Sequence, residues 1–192
     1  MSWLSKFFSQ KQDQRTNIVV LGASGSGKTT LVRYLETGQE VTKETKTTLG
    51  IDIRKNPTKL SGWTFGIVDV GGQDFYRKTL WTLGVSQADS IIYLIDVTIT
   101  PNTDQISFEV SKFSFDYMLD ILEKNMPILV LVNKQDEVVN YDSSLQETIL
   151  NYDIGRLIDR RFNIVGCSVK TGDGVKEALE WLAEEVHLEE PQ

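Results

Sequence analysis

Between an apolar run, NIVVLG (Asn17 to Gly22), and a segment with helical patterning over residues 27–37 lies GASGSGKT, Gly22 to Thr29. The pattern G-x-x-x-x-G-K-[S/T], set between a strand and a helix, leaves such a chain few folds to choose from. Its glycines let the backbone wrap around an anion with N–H groups turned inward, and the helix N-terminus adds partial positive charge. In that geometry Lys28 reaches the β and γ phosphates of a nucleotide and the Thr29 hydroxyl binds Mg²⁺. Ser24, Gly25, Ser26, Gly27, Lys28, Thr29 and Thr30 are thus the expected phosphate-side residues. The loop alone specifies a nucleotide but neither its base nor the reaction, since kinases, ATPases and GTPases share it.

The rest of the chain alternates in the manner this loop requires. Strand-like runs recur at TFGIVDV (64–70), SIIYLIDV (90–97), PILVLVN (127–133) and FNIVGCS (162–168). Helical patterning separates them at 74–83, 104–124, 142–160 with a break near Gly155, and 173–186, where Val175, Leu179, Leu182 and Val186 form one stripe. Strands alternating with helices predict parallel pairing through right-handed crossovers. Residues 49–69 differ, because two strand candidates flank NPTKLSG with no helix between them, which predicts a hairpin. The expected fold is therefore an α/β P-loop domain, with a six-stranded mixed sheet, mostly parallel, one antiparallel edge strand and helices on both faces. Length fits one domain over residues 17–187, preceded by an N-terminal amphipathic segment and linker (1–16) and followed by an acidic tail (188–192).

Charge narrows the partners. A net charge of −7 opposes broad attraction to nucleic acid or anionic lipid, although residues 1–15 are locally basic, with Lys6, Lys11 and Arg15 against Asp13. Cys167 is the only cysteine, which excludes an intramolecular disulfide and a cysteine zinc cluster and suits a reducing, cytoplasmic setting. No run approaches the ~18 to 20 apolar residues of a membrane span, and Ser5 and Lys6 interrupt the N-terminal apolar stretch too early for a signal-peptide core. His187, the only histidine, reads as a solvated terminal residue.

Two further motifs identify the base and the chemistry. NKQD, Asn133 to Asp136, follows directly on PILVLV and so emerges at the carboxyl end of the sheet. An aspartate there accepts two hydrogen bonds from guanine N1–H and the exocyclic amino group, whereas adenine offers an acceptor at N1 and no 2-amino group. A site built for that pair rejects an analogue lacking it by ~10⁴-fold or more. DVGGQ, Asp69 to Gln73, ends another strand. There Asp69 is placed to hold Mg²⁺ through water, Gly72 to offer its N–H to a γ phosphate, and Gln73 to orient an attacking water.

Taken in order, GASGSGKTT, TTLGI, DVGGQ, NKQD and SVKTGDG resemble the five nucleotide-binding segments of small GTPases, and DVGGQ with NKQD is similar to the Arf and Arf-like branch. The similarity runs from about residue 17 to 186. It implies GTP and GDP as ligands with Mg²⁺, and hydrolysis of GTP to GDP and phosphate. It also implies an exchange factor, an activating protein and effectors as partners of a monomer. By the same resemblance Thr48 completes Mg²⁺ coordination, and Ser168, Val169 and Lys170 meet the base near O6, with Asn133, Lys134 and Asp136 beside them. Residues 49–69 take the place of the interswitch hairpin, which slides between two registers as the nucleotide changes. Departures bear on rate and partner. Ser24 stands where aspartate is common, Thr47 where proline is usual, and Val169 where alanine is. Ile51, Val68 and Leu83 replace an aromatic effector triad. The sequence assigns no arginine as an internal finger, so unaided turnover is expected on the order of 10⁻⁴ to 10⁻² s⁻¹, with an activating partner supplying the missing charge.

On a helix, Trp3, Leu4, Phe7 and Phe8 fall within an arc of roughly 140°, with Ser2, Ser5 and Ser9 opposite. Burying these four side chains gains roughly 6 to 12 kcal/mol, which nearly cancels the ~8 to 16 kcal/mol of backbone ordering. Docking is then conditional, and the resemblance implies a helix released in the GTP state to a membrane surface, with Lys6 and Lys11 favouring anionic lipid. Ser2 replaces the glycine of N-myristoylation, and EEPQ offers no prenylated cysteine, so the association is expected to be weak and reversible, peripheral on membrane from the cytoplasm. Two other readings stay open on the residues: a GTP-loaded binding subunit with a permanently packed helix, and an ATP-using kinase.

Overall fold

A computed structural model of the chain describes residues 16–37, 51–53, 58–60, 63–70 and 74–187, with the backbone alone at 16, 36, 187 and those described between 51 and 78. The N-terminal segment with Trp3, Leu4, Phe7 and Phe8, the site residues Thr48, Gly72 and Gln73, and the acidic tail lie outside the described residues. The chain runs β1 (Thr16–Gly22), α1 (Lys28–Thr37), β2 (Ile51–Ile53), β3 (Thr58–Leu60), β4 (Trp63–Val70), α2 (Asp74–Val85), β5 (Ser90–Asp96), α3 (Gln105–Ile121), β6 (Ile128–Asn133), α4 (Tyr141–Asn151), β7 (Phe162–Gly166) and α5 (Val175–His187).

The strands form one sheet in the order β2-β4-β1-β5-β6-β7, with β3 also pairing β4. β4, β1, β5, β6 and β7 are parallel, and β2 and β3 run antiparallel to β4. Period-two geometry sends successive strand residues to opposite faces. Ile91, Tyr93 and Ile95 of β5, with Ile128, Val130 and Val132 of β6, join Trp81, Phe108, Phe115 and Tyr152 in one core. Ile92, Leu94, Leu129 and Leu131 join Leu31, Leu35, Leu179 and Leu182 in the other. Both faces are therefore covered, which is why these strands read as unbroken apolar runs.

The edge of the sheet corrects the six-strand expectation. The predicted single edge strand is two short strands, and Thr58–Leu60 pairs with β4 in a stretch expected to be hairpin loop. Ile53 faces Val68 while Thr58 faces Phe65, so five steps along the edge match three along β4 and the edge carries two extra residues. Pro57 lies in that interval.

Helix boundaries shift in ways that local chemistry explains. Asp104 caps α3 by accepting the Ser107 N–H at 3.0 Å, and Asn140 caps α4 by accepting the Ser143 N–H at 3.3 Å. The helix expected over 142–160 ends at Asn151, because Asp153 takes a left-handed conformation at φ 50, and a 3₁₀ turn over Ile154–Leu157 follows. Tyr152, buried at this break, donates its hydroxyl to Ser111 Oγ at 2.7 Å. Its ring meets Phe108 and Phe115 edge-on, and Phe115 meets Tyr93 in the same way. Phe115 is fully buried at the centre of this aromatic chain. Phe115→Ala is expected to lower unfolding free energy by about 3 to 5 kcal/mol in urea titration, with the m-value unchanged.

Candidate functional site

Where β1 ends, the chain must turn sharply to start α1, and the glycines make that turn feasible. Gly22 has φ +147, and a Cβ there would lie 2.6 Å from the Leu94 carbonyl oxygen and 2.7 Å from Ser26 Oγ. Gly27, at φ +103, packs so closely that a Cβ would come within 2.3 Å of Asn133 Nδ2. The loop is thus a backbone cradle against its neighbours. At the helix start the Leu31 N–H donates to Gly27 O at 2.9 Å, so the regular ladder of α1 begins within the loop.

Two side chains in this loop are buried in an unusual way. Lys28, 2% exposed, donates its ammonium to Gly22 O at 3.0 Å and Ala23 O at 2.7 Å, which holds the charge inside the loop. Ser26 is 1% exposed, and its Oγ has no hydrogen-bond partner among the described residues. A buried, unpartnered hydroxyl in a cationic cradle fits an oxygen-rich anion as its missing partner. Thr29 and Thr30 occupy the first turn of α1, and Ser24 and Gly25 form the exposed outer rim.

Asn133, the last residue of β6 and 2% exposed, ties three segments together. Its Nδ2 donates to Ser26 O at 2.8 Å, across 107 residues, and its Oδ1 accepts the Val169 N–H at 2.9 Å. The Cys167 thiol also points at Oδ1, at 3.8 Å, and burial pushes that thiol up to about 12, so it stays protonated at neutral pH. The loop after β7 closes on itself: Ser168 N–H donates to Asp173 O, Gly172 N–H to Ser168 O and Thr171 Oγ1 to Asp173 Oδ2. Lys134 follows Asn133 in a left-handed conformation with φ 70. Its ammonium pairs with Asp96 Oδ2 at 2.5 Å, while Lys170 stands 3.8 Å from Asp136 Oδ2.

The phosphate loop, Asn133 to Asp136 and Ser168 to Lys170 therefore converge at the carboxyl ends of β1, β6 and β7. Asp69 lies near the end of β4, opposite Asp52 in register. One expectation changes in detail. Val169, expected in the segment near the base, gives its N–H to Asn133, and its side chain covers Gly27. A valine fits here because its methyl groups fill the space beside a residue without Cβ. Asp96 was missed by motif reading. Its sequence signal is an acidic residue closing an apolar strand, and its register opposite Asn133 appears only in the sheet.

Comparison with known proteins places this geometry in a family. The model of the Arf: ADP-ribosylation factor family matches residues 1–186. ADP-ribosylation factor-like protein 3 of Chlamydomonas reinhardtii is 30% identical over 177 residues, covering 92% of this chain and 94% of that protein. ADP-ribosylation factor J of Dictyostelium discoideum is 30% identical over 183 residues, covering 95% and 92%. The solved structure of the Arl6 BBS3 small GTPase from Trypanosoma brucei with bound nucleotide analogue GppNp superposes with a TM-score of 0.69 at 23% identity, over 92% of this chain and all of that one. At that identity the superposition speaks to the fold, and the small-GTPase α/β fold is the one found here. With a family match along nearly the whole length and a relative 30% identical over 92% of the chain, the chain belongs to the ADP-ribosylation factor family.

Proposed function

We propose that this protein is a switch that binds guanine nucleotide and hydrolyses GTP to GDP and phosphate. The observation that carries the reading is the Asn133 amide, which joins the phosphate loop to the segment expected at the base. One side chain thereby sets the spacing between the two ends of a nucleotide. The exposed edge of Asp136 beside it suits recognition of N1–H and the 2-amino group of guanine. Lys170 near Asp136 balances its charge without occupying both carboxylate oxygens.

In hydrolysis, water attacks the γ phosphorus in line with the bond to the β–γ bridging oxygen. That bond breaks as the new P–O bond forms, and the water's protons pass to the phosphate product and solvent. Gln73 orients the water, and the Gly72 N–H with Lys28 stabilises charge on the γ phosphate oxygens. The loop's buried Ser26 hydroxyl and inward cradle support this placement of phosphate. Thr29, Thr48 and Asp69 offer hydroxyl and carboxylate oxygens, the hard ligands that Mg²⁺ prefers, and would hold it. When bound, that ion neutralises charge across the β and γ phosphates.

The two extra residues in the edge strand support a register change as the switching element. β2 can move along β4 by a whole two-residue step and keep each side chain on its own face. The N-terminal apolar segment is the output in this reading, bound to a membrane surface when GTP is present. Exchange factors, activating proteins and effectors act on the cycle as they do for the family at large.

Three outcomes follow from this reading. Asp136→Asn replaces an acceptor pair by one acceptor and one donor, so affinity for GTP is expected to fall at least ~10²-fold while affinity for xanthosine triphosphate rises. Displacement of a fluorescent GDP by GTP, xanthosine triphosphate and ATP measures this, and ATP competing as well as GTP in the unsubstituted protein would make it an ATP enzyme. Gln73→Leu should retain nucleotide affinity within about threefold yet cut single-turnover phosphate release at least ~10-fold. Equal release from both would leave a GTP-holding subunit. Sedimentation with phosphatidylserine vesicles should capture more protein with a non-hydrolysable GTP analogue than with GDP, and capture independent of nucleotide would point to a permanently packed N-terminal helix.

A further inference from the structure

The geometry points to Asp96 as a positioning residue that pre-sets Lys134 for the nucleotide and slows its release, an inference that rests on the guanine-nucleotide reading above. Asp96 ends β5, is 5% exposed, and lies opposite Asn133 in the parallel register. A carboxylate so buried must have its oxygens satisfied, because an unpaired charge in that setting is strongly unfavourable. Its two oxygens divide the task. Oδ1 accepts the Thr98 N–H at 3.0 Å and the Thr98 hydroxyl at 2.7 Å, closing a turn with its own chain. Oδ2 meets the Lys134 ammonium at 2.5 Å.

Lys134 is held on its backbone as well as at its tip. Its φ of 70 and ψ of 33 are left-handed, a conformation that a residue with a Cβ keeps only where its surroundings impose it. The Glu137 N–H donates to Lys134 O at 2.9 Å, and the following Gln135 N–H donates to Cys167 O at 3.1 Å. This bend separates Asn133, turned into the cradle, from Asp136, which pairs with Lys170. With the ammonium drawn to Asp96, the Lys134 side chain is ordered before any ligand arrives. Rotamer freedom already lost in the free protein is not lost again on binding, so the pair favours the complex and lengthens its lifetime. Asp136, two residues on, has its own charge partner in Lys170 at 3.8 Å.

The test is a double-substitution cycle read by dissociation of a fluorescent GDP. Asp96→Asn keeps an Oδ1 acceptor for both Thr98 donors and loses only the charge facing Lys134. The expected result is about tenfold faster GDP release in Asp96→Asn, a change that falls in the off-rate as expected for a lost buried charge partner. In a Lys134→Met background, Asp96→Asn should add less than twofold, since the partner is gone. Thr98→Val, which removes the hydroxyl donor and leaves the ion pair, should release GDP within about twofold of the unsubstituted protein. Unchanged release in Asp96→Asn, or a tenfold effect that persists with Lys134→Met, overturns the inference while the guanine reading stands. A full chain that binds no guanine nucleotide overturns both. If Asp96→Asn melts too low to assay, Lys134→Arg, which can keep the ion pair, is compared with Lys134→Met: slower release from the arginine variant supports the pair, and equal release overturns it.

Discussion

The Asn133 side-chain amide is the contact on which the rest of the site depends. An amide can donate and accept at once, and here the two functions face different loops: Nδ2 to the Ser26 carbonyl and Oδ1 to the Val169 amide. No aliphatic side chain of that size could make both bonds. The absence of a Cβ at Gly27 lets Asn133 approach, and Val169 closes over the same glycine. Cradle, β6 strand end and closing loop are thus fixed to one buried residue at 2% exposure, out of reach of competing water.

That arrangement works only because the strands beneath it are rigid. β5 and β6 are buried along their whole length, with alternate residues divided between an aromatic-rich core under α2, α3 and α4 and an aliphatic core under α1 and α5. Close packing on both faces leaves the strand ends little freedom. Asp96 and Asn133, neighbours in register at those ends, carry polar groups out of the apolar interior to the loops that follow the strands. The opposite edge is built differently. Its two short antiparallel strands are two residues out of step along β4 and lie on the far side of β1 from Asn133.

Much of this was legible in the residues. GASGSGKT between an apolar run and a helical pattern dictated the loop, because only glycines tolerate that path, and five apolar runs separated by amphipathic stretches dictated a parallel sheet covered on both faces. The break in α4 was visible near Gly155 but sits at Tyr152 and Asp153, since burial of the tyrosine ring and a left-handed aspartate decide it. The antiparallel edge was legible as a hairpin, but its second short strand was not. Thr58–Leu60 looks like loop beside a proline, and its pairing depends on a partner strand whose register no local pattern states.

The sequence by itself determined the fold class, the phosphate cradle and the order of motifs, because backbone conformation at glycine and the periodicity of apolar side chains are local properties. Only the tertiary structure decided which atoms meet. Asn133 reaching Ser26 across 107 residues, Val169 giving its amide to Asn133, and Asp96 pairing with Lys134 are set by strand order and register, quantities fixed when the sheet assembles and the core packs.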